Sequence, residues 1–128
     1  MSYSQDLDKA EHEVRDLEFR HTNVKNGIES IDREIILLLL KDAALSENIK
    51  NLKKSSTIVL ASEFRRSKED LKRTRARLEM IRKDKVNLEK ALADTFSYLS
   101  KARGRLDSLR KMEVSNVLQG NFGSKNGQ

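Results

Sequence analysis

The stretch that decides the fold is residues 28–52, which read IESIDREIILLLLKDAALSENIKNL. Apolar residues recur there at alternating spacings of three and four, which lines them up on one face of a helix. The pattern extends back to Leu7, and only His21 and Asp42 interrupt it. A heptad pattern of this length is typical of a coiled-coil seam. Its apolar members are Leu7, Ala10, Val14, Leu17, Val24, Ile28, Ile31, Ile35, Leu38, Leu45, Ile49 and Leu52.

A second heptad frame follows, offset by one residue from the first. The offset falls at Ser55, Ser56 and Thr57, residues that are poor in a helix interior but suit a helix amino terminus. We therefore expect a turn between two helices at this point. The apolar members of the second frame are Leu60, Phe64, Leu71, Leu78, Ile81, Leu88, Leu92, Leu99, Ala102, Leu106 and Leu109.

The two frames predict an all-α fold, a long antiparallel two-helix coiled-coil hairpin. The chain has no proline, as long helices require, since an interior proline costs about 3 kcal/mol. Two alternatives stay open: a continuous rod that skips one residue, and a second helix that begins only at Ser67. The expected boundaries are a helix over 3–53, a turn over 54–57, a helix over 58–118, a single elongated domain over 1–118 and a flexible tail over 119–128.

Antiparallel pairing fixes which seam residues meet. The favoured register places Leu7 opposite Leu109 and Leu17 opposite Leu99, while a slip of one heptad loses most of the opposite-charge pairs beside the seam. The expected pairs are Glu11–Arg103, Glu13–Arg105, Lys25–Glu89 and Asp32–Arg82. Three polar residues fall on the seam, and we expect them to set the register: His21, Asp42 and Lys85.

Residues 34–45 are apolar nearly all round the helix, whereas a two-helix hairpin buries only one face. A helix that is apolar on all sides is normally buried on all sides. We therefore expect a homo-oligomeric helical bundle or a contact with another protein. The alternative is a chain folded back as three helices. The predicted oligomer or partner interface comprises Ile36, Leu37, Leu39, Leu40, Ala43 and Ala44.

No catalytic constellation is visible in the sequence. The only histidines are His12 and His21. Asp8 and His12 share a helix face, but two ligands are too few for a metal site. The chain lacks cysteine and has no glycine-rich phosphate loop. We expect no enzyme activity, no cofactor, no metal and no small-molecule substrate.

Basic residues outnumber acidic ones, which gives a net charge of +6. Five of them line one side of the second predicted helix: Arg65, Lys68, Lys72, Arg75 and Arg82. Two interpretations compete. The stripe pairs with the chain's own acidic first helix, or it contacts a nucleic-acid backbone or an acidic protein surface. No aromatic residues interleave with the stripe, so it offers no platform for base stacking.

The sequence thus favours a non-enzymatic coiled-coil structural or assembly protein: a scaffold, spacer or adaptor in a larger complex, such as a virion or secretion assembly. The alternative is a sequence-independent nucleic-acid-binding accessory protein, such as a recombination or packaging mediator. The apolar run 35–40 is far shorter than the ~20 residues that span a bilayer. Together with the polar amino terminus, it predicts a soluble, intracellular chain or one within an intracellularly assembled particle.

Overall fold

The computed structural model describes residues 3–54 and 58–126, with side chains described for 3–54 and 61–112. Two long helices pack against each other, and the described residues contain no strand. Helix α1 covers Tyr3–Lys53 and helix α2 covers Ile58–Asn126. The predicted all-α helical hairpin is therefore confirmed, and the alternative of a continuous rod is wrong.

Helix α1 is unbroken because nothing in its sequence forces a stop. Its heptad phase continues across Gly27, and the helix does too. A Cβ added at Gly27 would lie 3.5 Å from the Cδ1 atom of Leu88, so the two helices come close together there. The helix ends in a tighter turn, in which the Lys54 amide donates a hydrogen bond to the Asn51 carbonyl at 3.2 Å. Residues 55–57, the rest of the expected turn, lie outside the described residues.

Helix α2 contradicts two of the alternatives. It begins at Ile58, so a start at Ser67 is wrong: Ser67 is buried within the helix, where its hydroxyl accepts a hydrogen bond from Asn48 of α1 at 3.0 Å. A three-helix fold is also wrong, because the described chain forms only two helices. Helix α2 runs through Asn126, so residues 119–126 of the expected tail are helical here. The flexibility of the tail and the single domain over 1–118 stay predictions.

One compact unit of the chain combines Met1–Val24 with Ala91–Gln128. Its core consists of small and large residues from both helices, namely Ala10, Val14, Leu99, Ala102 and Leu106, with Leu7, Leu17 and Leu109 packed against it. The favoured register brings these same residues together. The predicted pair Glu13–Arg105 forms. The predicted pair Glu11–Arg103 does not form, because Arg103 reaches Glu18 and Glu11 instead pairs with Arg110 at 3.7 Å.

The other compact unit is Lys25–Lys90. Among the described residues of this unit, the most buried large side chain is Ile81, which is 1% exposed, and Leu78 and Ile49 are buried as well. Thr74 is also buried, and its hydroxyl is satisfied within α2 by the carbonyl of Asp70 at 2.8 Å. Asp32 pairs with Lys85 rather than with the predicted Arg82. Among the described residues, no ion pair joins Lys25 and Glu89.

The described ion pairs between the helices follow one rule: α1 supplies the anion and α2 the cation. Opposite charges beside a seam favour one orientation and register, although each exposed pair contributes only about 0.2–1 kcal/mol. The basic excess of α2 is therefore partly used within the chain. The pairs are Asp42–Arg75, Glu34–Arg77, Asp32–Lys85, Glu18–Arg103, Glu13–Arg105 and Glu11–Arg110.

Candidate assembly surface on the outer face of α1

The apolar residues of 34–45 that are not used by the seam lie on the outside of α1. Leu37 is 67% exposed, Leu40 62% and Ile36 58%, values that are high for large aliphatic side chains. We call this surface the outer patch; it comprises Ile36, Leu37, Leu39, Leu40, Ala43 and Ala44, all of them exposed. The structure thus places the predicted interface residues together on one helix and leaves them uncovered.

Heptad geometry explains why the outer patch exists. Ile35, Leu38, Asp42 and Leu45 occupy the seam positions and are half-buried toward α2. Successive residues of a helix are rotated by about 100°, so the positions between them must point elsewhere. Ile36 and Ala43 share one heptad position, Leu37 and Ala44 share another, and Leu40 lies between these two rows.

Leu39 differs from the rest of the outer patch because it borders α2. It lines a shallow groove between the helices together with Leu78 and Val86, and the groove is rimmed by charged residues. Leu39 is 44% exposed, less than its neighbours, and Val86 is 50% exposed. The charged lining residues are Asp42, Arg75, Glu79, Arg82 and Lys83. The apolar surface therefore continues from α1 into this groove.

Charged residues border the outer patch at both ends. Arg33 and Glu47 are exposed and share the heptad position of Leu40, one heptad before it and one after it. Glu29 and Lys50 are exposed as well and continue the row of Ile36 and Ala43. Among the described residues, none of these four charged side chains has an ion-pair partner. Sequence reasoning does not pick out these four residues, because charged residues on a helix surface are ordinary. The one feature that could have identified them is that they share heptad positions with residues of the outer patch.

Asp42 is the best-satisfied of the three polar residues on the seam. One carboxylate oxygen accepts a hydrogen bond from the Nε of Arg75 at 2.9 Å, and the other accepts one from the Ser46 hydroxyl at 3.3 Å. The hydrogen bond from Arg75 lowers the pKa of Asp42, and partial burial opposes this shift. The same hydrogen bond raises the pKa of Arg75. Asp42 therefore stays ionised on the seam.

Lys85 and His21 occupy half-buried seam positions in the two units. The Nζ of Lys85 lies 2.6 Å from a carboxylate oxygen of Asp32, and this hydrogen bond raises the pKa of Lys85. The ring of His21 lies 6.3 Å from that of Phe96, tilted by 47°. These contacts cross between α1 and α2, as a role in setting the register requires, but that role stays a prediction.

The basic stripe is divided in the structure. Arg75 pairs with Asp42, and the Nζ of Lys68 lies 4.7 Å above the ring centre of Phe64. Arg65, Lys72 and Arg82 are exposed, and within the described part of the chain they have no ion-pair partner. One member of the stripe, Arg75, therefore pairs with an acidic residue of α1. Three members, Arg65, Lys72 and Arg82, remain available to bind an external anion.

The described residues lack two further features, a cluster of metal ligands and a membrane-spanning helix. They contain no group of three or more His, Asp or Glu side chains placed to hold a metal ion. Neither helix, over its described length, is long and apolar enough to cross a membrane. Comparison with known proteins gave no match: no family model, no curated protein and no solved structure is significantly similar to this chain.

Proposed function

We propose that this chain is a non-enzymatic structural or assembly protein, which acts as an oligomeric spacer, scaffold or adaptor within a larger complex. The observation that carries the proposal is the exposure of Ile36, Leu37 and Leu40 on the outside of a two-helix hairpin. Burying one such side chain fully is worth roughly 1.5–3 kcal/mol. This chain exposes three such side chains within two consecutive helical turns, so covering them would lower its free energy.

The alternatives to an external partner are few. A third helix would bury the outer patch within the chain, but the described residues form only α1 and α2. The amino-terminal third of α1 has the same inner seam, and Phe19 is the one large apolar side chain exposed among its described residues, so folding of the hairpin does not require an apolar outer face. Contiguous exposed apolar surface of this kind is typical of sites of protein association. These observations support a cover that comes from another chain.

The experiment compares the mass of the wild-type protein in solution with that of a variant of the outer patch. Light scattering over a range of concentrations should show an assembly for the wild type and a smaller species for Ile36→Ser, Leu37→Ser and Leu40→Ser combined. A matched control replaces three exposed residues of α2, Met80, Tyr98 and Met112, by serine. This control should leave the mass unchanged, which separates the patch from general surface hydrophobicity.

Two results would contradict the proposal. The wild type stays a monomer at every concentration and no partner protein binds it, or the patch variant and the α2 control behave alike. Circular dichroism at 222 nm should be the same for all three proteins, since the substituted residues are exposed.

A second candidate function is binding to a nucleic-acid backbone. It is favoured by Arg65, Lys72 and Arg82, which are exposed and unpaired among the described residues. Each phosphate neutralised on duplex DNA contributes about −0.9 to the slope of log affinity against log salt. Changing these three residues to glutamine should weaken binding equally for all sequences and flatten that slope. The matched control changes Arg103, Arg105 and Arg110, which pair with α1, and should reduce thermal stability instead.

A further inference from the structure

We infer that the occupant of the outer patch is a second copy of this chain, docked antiparallel about a twofold axis that passes beside Leu40. The inference rests on the proposed function and names the partner for that same surface. Two independent features of α1 carry it, the sizes of the patch residues and the charges at its ends. Both become complementary only when the helix faces a reversed copy of itself.

Size complementarity comes from the order of large and small residues. A twofold axis beside Leu40 sets Ile36 beside Ala43 of the second copy, and Leu37 beside Ala44 of the second copy. Each large side chain then meets a small one on the same side of the pair. Alternating large and small residues in this way lets two helices approach and interdigitate. Because the axis is twofold, every contact occurs twice.

Charge complementarity comes from the residues that border the outer patch. The same axis sets Arg33 beside Glu47 of the second copy and Glu29 beside Lys50 of the second copy. These four side chains are exposed and have no ion-pair partner within the described chain. In the antiparallel pair each one meets an opposite charge.

A parallel pair of the same faces fails on both counts. It sets Arg33 beside Arg33 and Glu47 beside Glu47, so like charges meet at both ends. It also sets Ile36 beside Leu37 of the second copy and Ala43 beside Ala44 of the second copy, which crowds one layer and leaves a gap in the next. A twofold, isologous contact is the commonest form of homodimer. The order of residues in α1 therefore selects the antiparallel arrangement.

The contact from Arg33 to Glu47 is about 21 Å long at the helical rise of about 1.5 Å per residue. This is short for a permanent dimer, since stable interfaces bury about 800 Å² on each partner. The expected dimer is therefore concentration-dependent. Weak association suits the experiment, because the protein concentration at which half of the chains are dimeric then falls in a range where small changes in affinity can be measured.

The first experiment reverses charges and measures dimer affinity by sedimentation. Arg33→Glu should weaken the homodimer about tenfold at low salt, because two attractive pairs become repulsive. Glu47→Arg should do the same. The double variant should recover wild-type affinity, and an equal mixture of the two single variants should form a heterodimer. A parallel dimer would not pair these two residues, so it would show no such recovery.

The second experiment uses the absence of cysteine from the chain. Leu40→Cys places two thiols beside the axis and should form a disulfide-linked dimer under mild oxidation. Asn26→Cys is the matched control, since Asn26 is exposed and has the same heptad position as Leu40. In the antiparallel dimer the two copies of residue 26 lie about 40 Å apart along the helices, so they should not cross-link.

The outcomes separate this inference from the function on which it rests. Self-docking is overturned if single charge reversals leave the affinity unchanged, if the two cysteine variants cross-link equally, or if the wild type is a monomer while a different protein binds the outer patch. The proposed assembly function survives each of these results. It fails when the serine variant of the patch also has no effect on association, or when the wild type is a monomer that binds no partner protein.

Discussion

Two segments of α1, residues 8–16 and 36–44, occupy the same heptad positions but have opposite outer surfaces. In the first segment the outward positions are charged or polar: Asp8, Lys9, His12, Arg15 and Asp16. In the second the equivalent positions are Ile36, Leu37, Leu40, Ala43 and Ala44. Both segments use their inward positions for the seam with α2. The difference therefore lies entirely on the side that hairpin folding does not use.

The first segment shows how a solvated outer face is built. His12 lies 3.5 Å from Asp16, and Arg15 lies 3.7 Å from Glu11, both one turn apart on the same helix. Such pairs contribute a few tenths of a kcal/mol and keep the surface polar. The second segment has no such pairs among its outward residues. The inner seam therefore specifies the fold, while the outer face is where this chain can carry a distinct role.

The largest effect is expected on the free energy of unfolding, when one buried seam residue is truncated in each of the two compact units. Leu78→Ala and Leu99→Ala remove the same atoms from two buried sites, which are 5% and 3% exposed. Each should lower the free energy of unfolding by about 2–5 kcal/mol, because the substitution loses apolar burial and leaves a cavity. Chemical denaturation at a concentration where the chain is monomeric measures both. A loss below about 1 kcal/mol at either site would show that the seam is not the stabilising element there.

The next effect exchanges the outer surfaces of the two segments. Replacing Ile36, Leu37, Leu40, Ala43 and Ala44 by the equivalent residues Asp, Lys, His, Arg and Asp copies the outer face of residues 8–16. Association should weaken at least tenfold, because the apolar contact is lost, while the helical signal should remain. Light scattering and circular dichroism measure the two quantities. The reverse exchange in residues 8–16 should create a second association site; if it does not, apolar outward positions alone are insufficient.

Much of the fold follows from the sequence because heptad spacing is a local signal. The seam, the break between the helices and the pairing of Glu13 with Arg105 all derive from residue order. Other ion pairs were wrong because long side chains reach across more than one turn. Arg103, for example, selects Glu18 instead of Glu11. Lys85 illustrates the same point, since register alone sets it against Ile31, yet its flexible chain reaches Asp32.

The sequence predicted which residues form the outer patch, but it did not establish that these side chains are exposed in the folded chain. An apolar surplus over 34–45 indicates a second contact surface, but the sequence leaves open whether a third helix covers it. Only the three-dimensional arrangement shows that α2 packs against the opposite face of α1 and leaves Ile36 and Leu40 exposed. The half-buried hydrogen bond between Asn48 and Ser67 was not predicted either, because serine in a helix is weak evidence of burial.

A smaller effect concerns the two helical glycines with described surroundings, one in each unit. Gly27→Ala should stabilise the chain by about 0.5–1 kcal/mol, since alanine loses less entropy in a helix and its Cβ would meet Leu88 at an ordinary contact distance of 3.5 Å. Gly104→Ala is the matched comparison, because an added Cβ there meets nothing within 4 Å. Thermal unfolding measures both. Destabilisation by Gly27→Ala alone would show that the helices need the close approach at that position.

The smallest expected effect is the acid dependence of the seam at Asp42. The hydrogen bond from Arg75 lowers the pKa of Asp42 in the folded chain, so the folded state favours the ionised carboxylate more than the unfolded state does. This stabilisation is complete above the ordinary aspartate value of about 4, and it disappears as the pH falls through the lowered folded value. Asp42→Asn should therefore be less stable than the wild type at pH 7, and the difference should shrink steadily in acid. Glu13→Gln, which removes an exposed pair with Arg105 outside the seam, is the matched control for loss of charge. Melting temperatures measured between pH 7 and pH 2 decide the matter, because a difference that persists unchanged to the lowest pH would mean that Asp42 acts through packing rather than through its charge.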